Sequence, residues 1–221
     1  MSAPTTLRRL GLYGGSFDPV HRGHLEPVEE ARRLLGLDRI LFVPACAPPH
    51  KSTGPSASPY HRFAMAALAL QGREHFLLSD YEVSRGGTTF TVETLRHIRA
   101  LTPEAEIVLV IGSDVLVSLD TWRAWREILE AHRIAVLHRE PFDRERTREA
   151  VAPEIASRLA PPGATLGTAP EGATILWAGN APVTISSTWL RRAISGGEDL
   201  KGSLPPSVEA YVLRQRLYLA P

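Results

Sequence analysis

A chain of 221 residues with 43% hydrophobic side chains is long enough to bury a sizeable core and reads as one domain, 1–221. A formal net charge of +1 excludes the diffuse basic field that holds proteins on nucleic acid or anionic membranes, so neither is expected as a partner and any phosphate binding must be local. Residues 1–10 lack a signal-like apolar core, no apolar run is long enough to span a bilayer, and Cys46 alone cannot form an intrachain disulfide, which together point to the cytoplasm.

A short apolar strand at 10–14 opens the chain, followed by a helical pattern over about 22–35 with Gly36 as its C-terminal stop. Ile40-Leu41-Phe42-Val43 is continuously apolar, as expected of a parallel strand covered on both faces, and it ends at Pro44. Residues 44–59 are crowded with proline, serine and glycine and read as a long functional loop, and a helix follows from near Tyr60. Then come an apolar run at 76–78, a turn at 85–87, a helix over about 91–100 and the clearest strand of the chain, 107–111. Gly112-Ser113-Asp114 leads into a short helical pattern through Trp122 and Trp125, and 134–137 forms another strand. Residues 142–172 read as a helix plus an irregular connection without identifiable chemistry, 182–184 as a strand, and 187–221 as a small helical C-terminal portion. Strands separated by helix-length segments predict an α/β, Rossmann-like doubly wound parallel sheet whose ligands bind outside the carboxyl ends of the strands.

The chemistry concentrates at those ends. In the run from Gly14 to His24, Gly14 and Gly15 allow a tight turn and close backbone approach, with Ser16 and Phe17 completing the loop before a helix that aims its N–H groups at the same place. His21 and His24 are three apart, so a first helical turn would bring them to one side as donors to one phosphate chain. A zinc site is disfavoured, because a third ligand of suitable spacing is missing. The segment Ile185-Ser186-Ser187-Thr188-Trp189-Leu190-Arg191 opens a second helix. Its hydroxyls either cap that helix or, with the Arg191 fork, make a second anion site.

These runs resemble the H-x-G-H and I-S-S-T-x-x-R motifs of the nucleotidyltransferase superfamily, and the wider G-G-[ST]-F-D-P-x-H-x-G-H form resembles the nicotinate-nucleotide adenylyltransferases in particular. Pro48-Pro49-His50-Lys51 is similar to the P-P-H-[KR] loop of that family, and residues 85–91 to its R-x-G-x-S-Y-T segment, with Phe90 in place of the usual tyrosine. Gly112-Ser113-Asp114 and Trp122 resemble the segment that meets adenosine and the tryptophan that stacks on the pyridine. Cys46 stands where asparagine is common and Ser118 where an aromatic residue is common.

The resemblance implies adenylyl transfer from ATP, with Mg²⁺, to nicotinate mononucleotide, a step of NAD synthesis. It implies catalytic roles for His21, His24 and Arg191, and an ATP site of Gly14, Gly15, Ser16, Phe17, Lys51, Gly112, Asp114, Ile185, Ser186, Ser187 and Thr188. The mononucleotide site would comprise Cys46, His50, Thr91 and Trp122, with no metal ligand from the protein. Asp18 is expected to fix the turn or a histidine. Nicotinamide mononucleotide or phosphopantetheine as acceptor, and a regulatory module that has lost turnover, are the alternatives. A homo-oligomer is left open.

Overall fold

The computed structural model describes residues 7–47, 56–182 and 184–219. In chain order the first half comprises β1 (Arg9–Gly15), α1 (Arg22–Leu35), β2 (Arg39–Pro44), α2 (Pro59–Leu70), β3 (Phe76–Leu78), α3 (Tyr81–Arg85) and α4 (Thr91–Leu101). The second half comprises β4 (Glu106–Gly112), α5 (Ser113–Leu116), a 3₁₀ turn (Leu119–Thr121), α6 (Trp125–Ala131), β5 (Arg133–Leu137), α7 (Arg144–Ala150), α8 (Pro153–Ala156), β6 (Ile175–Trp177), α9 (Ser187–Ser195) and α10 (Pro206–Arg214). All six strands are parallel and lie in the order β3-β2-β1-β4-β5-β6. This is a doubly wound sheet, and its strand order reverses between β1 and β4, where a crevice opens at the carboxyl ends.

Alternate residues of the strands feed two cores. Tyr13, Val108, Val110, Ala135, Leu137 and Leu176 point to one face, where Leu25, Val28, Ala31 and Leu35 of α1 meet them. Leu12, Leu109, Ile111, Ile134, Val136 and Ile175 point to the other, against Val92, Leu95 and Ile98 of α4 and Ile128 and Leu129 of α6. Burial on both faces is why these strands are continuously apolar in sequence. The C-terminal helices share the first core through Leu190, Ala193, Val208 and Val212. Helix α1 stops at Gly36, whose φ of 76° is the left-handed conformation that lets its N–H reach back to Arg32 O at 3.1 Å.

Two expectations change in the second half. The sixth strand is Ile175–Trp177, paired with Ile134, Ala135 and Val136, and Pro182 and Thr184 lie outside any strand. Proline at 182 cannot donate to a ladder, whereas Ile175-Leu176-Trp177 carries the bulky apolar side chains that an edge beside β5 buries. The segment after Phe142 forms two short helices, α7 and α8, before its irregular part. Among the described residues no helix is long and apolar enough to cross a membrane.

Candidate active site

A cavity of about 430 Å³ lies over the carboxyl ends of β1 and β4. Gly14, Gly15, Ser16, Phe17 and His24 form one wall, Thr89, Thr91 and Trp122 another, and Gly112, Asp114, Ser118 and Ser187 also face it. Seven of the residues expected to bind ATP, Gly14, Gly15, Ser16, Phe17, Gly112, Asp114 and Ser187, are therefore brought together with His24, Thr91 and Trp122. His50 and Lys51 lie outside the described residues.

The turn after β1 differs from expectation in how it is made. Neither Gly14 nor Gly15 has positive φ; the left-handed residue is Phe17, at φ 49°, with its ring buried against Tyr13 and Phe42. The glycines serve close approach instead. A Cβ at Gly15 would stand 3.0 Å from the Phe17 ring, and one at Gly14 would meet only Val43 O at 3.9 Å, leaving that backbone open to the cavity. Gly23 is more constrained, since its Cβ would fall 2.9 Å from His21 Nδ1 and 3.1 Å from Ile185 O, where the loop before α9 crosses the start of α1. The same reasoning holds at Gly112, whose Cβ would collide with Asp114 Oδ1 and the Arg139 side chain.

The two histidine rings are in contact, with centroids 3.7 Å apart and planes tilted by 35°, but are not equivalent. His21 is the N-cap of α1 with extended backbone, and its ring is 1% exposed beneath His24. Burial pushes its pKa down to about 3, with the Arg139 charge acting in the same direction, so it is neutral at ordinary pH. Its Nδ1 has no hydrogen-bond partner among the described residues. His24 faces the cavity, and its Nδ1 accepts the His21 backbone N–H at 3.2 Å. That bond fixes the neutral tautomer with the proton on Nε2, making Nε2 a donor.

The second motif is divided in the same way. Ser186 caps α9, its side chain accepting from Trp189 N at 3.2 Å, so the capping reading holds for that hydroxyl. Ser187 lines the cavity and its hydroxyl donates to Pro19 O at 3.1 Å. Arg191 is turned to the turn after β1, donating to Asp18 O at 2.8 Å and lying 3.7 Å from the Asp18 carboxylate, with its other end on Thr188 Oγ1 at 3.3 Å. Arg191, Thr188, Ile185 and Ser186 are therefore beside the cavity and not in its wall.

Asp18 does not hold a histidine. It is 2% exposed and accepts from Ser56 N at 2.7 Å, Ala57 N at 3.0 Å and the Tyr218 hydroxyl at 2.9 Å, tying the turn after β1 to the segment before α2 and to Tyr218 beyond α10. Beneath it the fully buried Arg62 donates to three carbonyls, Ala57 O, Ser16 O and Cys46 O, at 2.7–3.1 Å. Cys46 thus contributes its carbonyl to this brace, and the cavity wall at that height is Ala45.

At the opposite end, Thr91 is the first residue of α4 and Trp122 is half-buried, packing on the second core while facing the cavity. Glu93 accepts from Phe90 N at 3.2 Å and caps α4. Sequence reading missed four groups here and at the cavity floor. Glu82 and Thr94 line this cavity and are hydrogen-bonded to each other; Thr89 lines it with a buried hydroxyl that has no partner among the described residues; and Arg139 faces Tyr13 and Asp114. Arg139 is positioned by Ser113, whose hydroxyl accepts Arg139 N at 2.9 Å across β4 and β5. The described residues include no group of three His, Cys, Asp or Glu side chains placed to hold a metal.

A parallel sheet of this order with its cavity at the switch point, a glycine turn and a helix start carrying H-x-G-H define a nucleotidyltransferase site. The chain belongs to the cytidylyltransferase-like family, whose model matches residues 12–193. It is 34% identical over 218 residues to a "probable nicotinate-nucleotide adenylyltransferase" of Desulfatibacillum aliphaticivorans, covering 96% of this chain and all of that one. A protein of the same name from Synechococcus sp. (strain JA-3-3Ab) is 37% identical over 97% of this chain and 96% of its own. Among solved structures, Plasmodium falciparum nicotinic acid mononucleotide adenylyltransferase complexed with NaAD superposes with a TM-score of 0.71 at 18% identity, covering 96% of this chain and 97% of that one, a likeness of fold.

Proposed function

We propose that this chain transfers the adenylyl group of ATP to nicotinate mononucleotide, giving nicotinate adenine dinucleotide and pyrophosphate. The observation that carries the reading is the two-ended cavity: backbone and imidazole donors at the β1–α1 end, and a helix start beside an indole at the α4 end. Likeness over nearly the whole length to proteins bearing that name supports it.

The acceptor phosphate is itself the nucleophile. Its oxygen forms a bond to the α-phosphorus of ATP while the bond from that phosphorus to the bridging α–β oxygen breaks, so the protein must align the partners and stabilise charge on pyrophosphate. His24 Nε2–H and the backbone of Gly14, Gly15, Ser16 and Phe17 face that end, and the Ser187 hydroxyl becomes a donor on turning away from Pro19 O. Arg191 joins them on leaving Asp18, and neutral His21 supports the His24 ring from below. These donors fit anionic oxygens rather than a cation, so Mg²⁺ would arrive on the triphosphate, held by phosphate oxygens and water, and would supply charge neutralisation there. At the other end, Thr91 and the first N–H groups of α4 suit a carboxylate, and Trp122 offers a face for the pyridine. Pyrophosphate release from ATP and each of nicotinate mononucleotide, nicotinamide mononucleotide and phosphopantetheine tests the assignment, with the first expected to be preferred.

A further inference from the structure

The acceptor end of the cavity contains a buried acid, which is unexpected where a carboxylate is to be bound. Glu82 projects from α3 into the cavity with 8% of its surface exposed. Its Oε1 accepts from Thr94 Oγ1 at 2.7 Å, and Oε2 has no hydrogen bond among the described residues. Thr89, which lines the same cavity, carries a buried hydroxyl that also has no partner among the described residues. A cavity that serves only to exclude water has no need of two unfilled polar positions in the lining it shares with Trp122.

We propose that Glu82 is a specificity-determining residue that reads the exocyclic group of the acceptor's pyridine through its own protonation state. As the neutral acid it donates O–H to a carboxylate; as the anion it repels a carboxylate and accepts from the NH₂ of a carboxamide. The choice between acid and amide acceptors is then set by pH. This rests on the reading of the reaction given above.

The surroundings put the crossover in a useful range. Burial raises the Glu82 pKa to about 7, opposed by the Thr94 hydrogen bond and the charge of Arg85 and reinforced by Glu93. Glu93 is itself offset by Arg85 and Arg123, each 3.7 Å away. The other ionisable groups on the elements around α3 are Arg39 of β2, His61 and Arg62 of α2 and His97 of α4, whose ring stacks on Tyr81, with His24, Asp114 and Arg139 lining the same cavity. The acceptor's own phosphate titrates as well, but identically in the acid and amide mononucleotides, so it cancels in their ratio.

The test is the ratio of kcat/KM for nicotinate over nicotinamide mononucleotide at saturating ATP, followed from pH 6 to 9 in the parent, Glu82→Gln and Thr94→Val. In the parent the ratio should be level below about pH 7 and then fall, approaching roughly tenfold per pH unit as the neutral form is depleted. Glu82→Gln, which cannot ionise, should give a ratio level throughout. Thr94→Val removes a donor to the anion and should move the fall to higher pH, a shift that a merely structural role would not produce. A level ratio in the parent, or the same fall in Glu82→Gln, overturns the inference while turnover of both acceptors leaves the reaction assignment standing. If neither mononucleotide releases pyrophosphate, the reaction assignment has failed and the inference with it.

Discussion

Replacing Tyr218 by phenylalanine removes one hydroxyl from a residue near the C-terminus, yet its effect should be felt at the phosphate side of the cavity. The hydroxyl donates to Asp18 Oδ1 at 2.9 Å, and Asp18 also receives Ser56 N and Ala57 N and faces Arg191 at 3.7 Å. A hydrogen bond to a buried charged group contributes about 1.5–3 kcal/mol, and because Asp18 keeps its two amide donors the lower end applies, about 1.5 kcal/mol. For a chain of this size that corresponds to a Tm lowered by about 3–6 °C. Asp18→Asn should cost more, about 3–5 kcal/mol, since it leaves Arg191 and the buried Arg62 without their counter-charge. Urea unfolding of the parent, both single variants and the double variant gives the coupling between the two groups. If Tyr218→Phe is as stable as the parent, or if its effect adds to that of Asp18→Asn within about 0.3–0.5 kcal/mol, the brace described here does not exist. Tyr218→Phe should also raise the KM for ATP, because the carboxylate it releases lies 3.7 Å from the Arg191 guanidinium, which also donates to the Asp18 backbone carbonyl.

Three further outcomes are expected. His24→Ala should lower kcat by about 10²–10³ with the fold intact by circular dichroism, since it removes one preorganised donor to developing charge; parent-like turnover at saturation would remove His24 from the mechanism. Thr91→Val should narrow the preference for nicotinate over nicotinamide mononucleotide by weakening use of the acid, and equal loss for both acceptors would make Thr91 structural. Because the folded-state pKa of Glu82 is raised, its contribution to stability is complete below the unfolded value near 4.5 and is lost as pH rises through about 7. Glu82→Gln should therefore match the parent below about pH 4 and exceed its stability by on the order of 3 kcal/mol at about pH 9, and denaturation at the two pH values reads the difference.

What could be read from sequence followed from local signals. The strands were visible because burial on two faces leaves uninterrupted apolar runs such as Ile107 to Ile111, and the α1 stop was visible because only a left-handed residue ends a helix as Gly36 does. The phosphate-side loop was visible because glycine, histidine and a helix start lie within one short stretch. What was not legible depends on distance along the chain. Asp18 meets Ala57 and Tyr218, Arg62 meets Ser16, and Ser113 meets Arg139, contacts that carry no periodicity and no spacing rule. Glu82 carries no signal in the sequence, and only the fold brings it beside Thr94, twelve residues away. His21 shows a subtler limit: a spacing of three puts two side chains on one side only when both residues are helical. His21 is the cap, at φ −147°, and so its ring goes beneath His24 instead of beside it. Ile175–Trp177 was hidden by its brevity within a segment of alanine, proline and glycine.

The central claim, that this cavity joins ATP to a nicotinate mononucleotide, is tested most directly by incubating the purified chain with ATP, Mg²⁺ and nicotinate mononucleotide. The products are separated by chromatography while pyrophosphate is counted in the same sample. The account predicts nicotinate adenine dinucleotide and pyrophosphate in equal amounts, both abolished when the mononucleotide is omitted. Pyrophosphate without the dinucleotide, or no product from this acceptor while another accepts the adenylyl group, would contradict it.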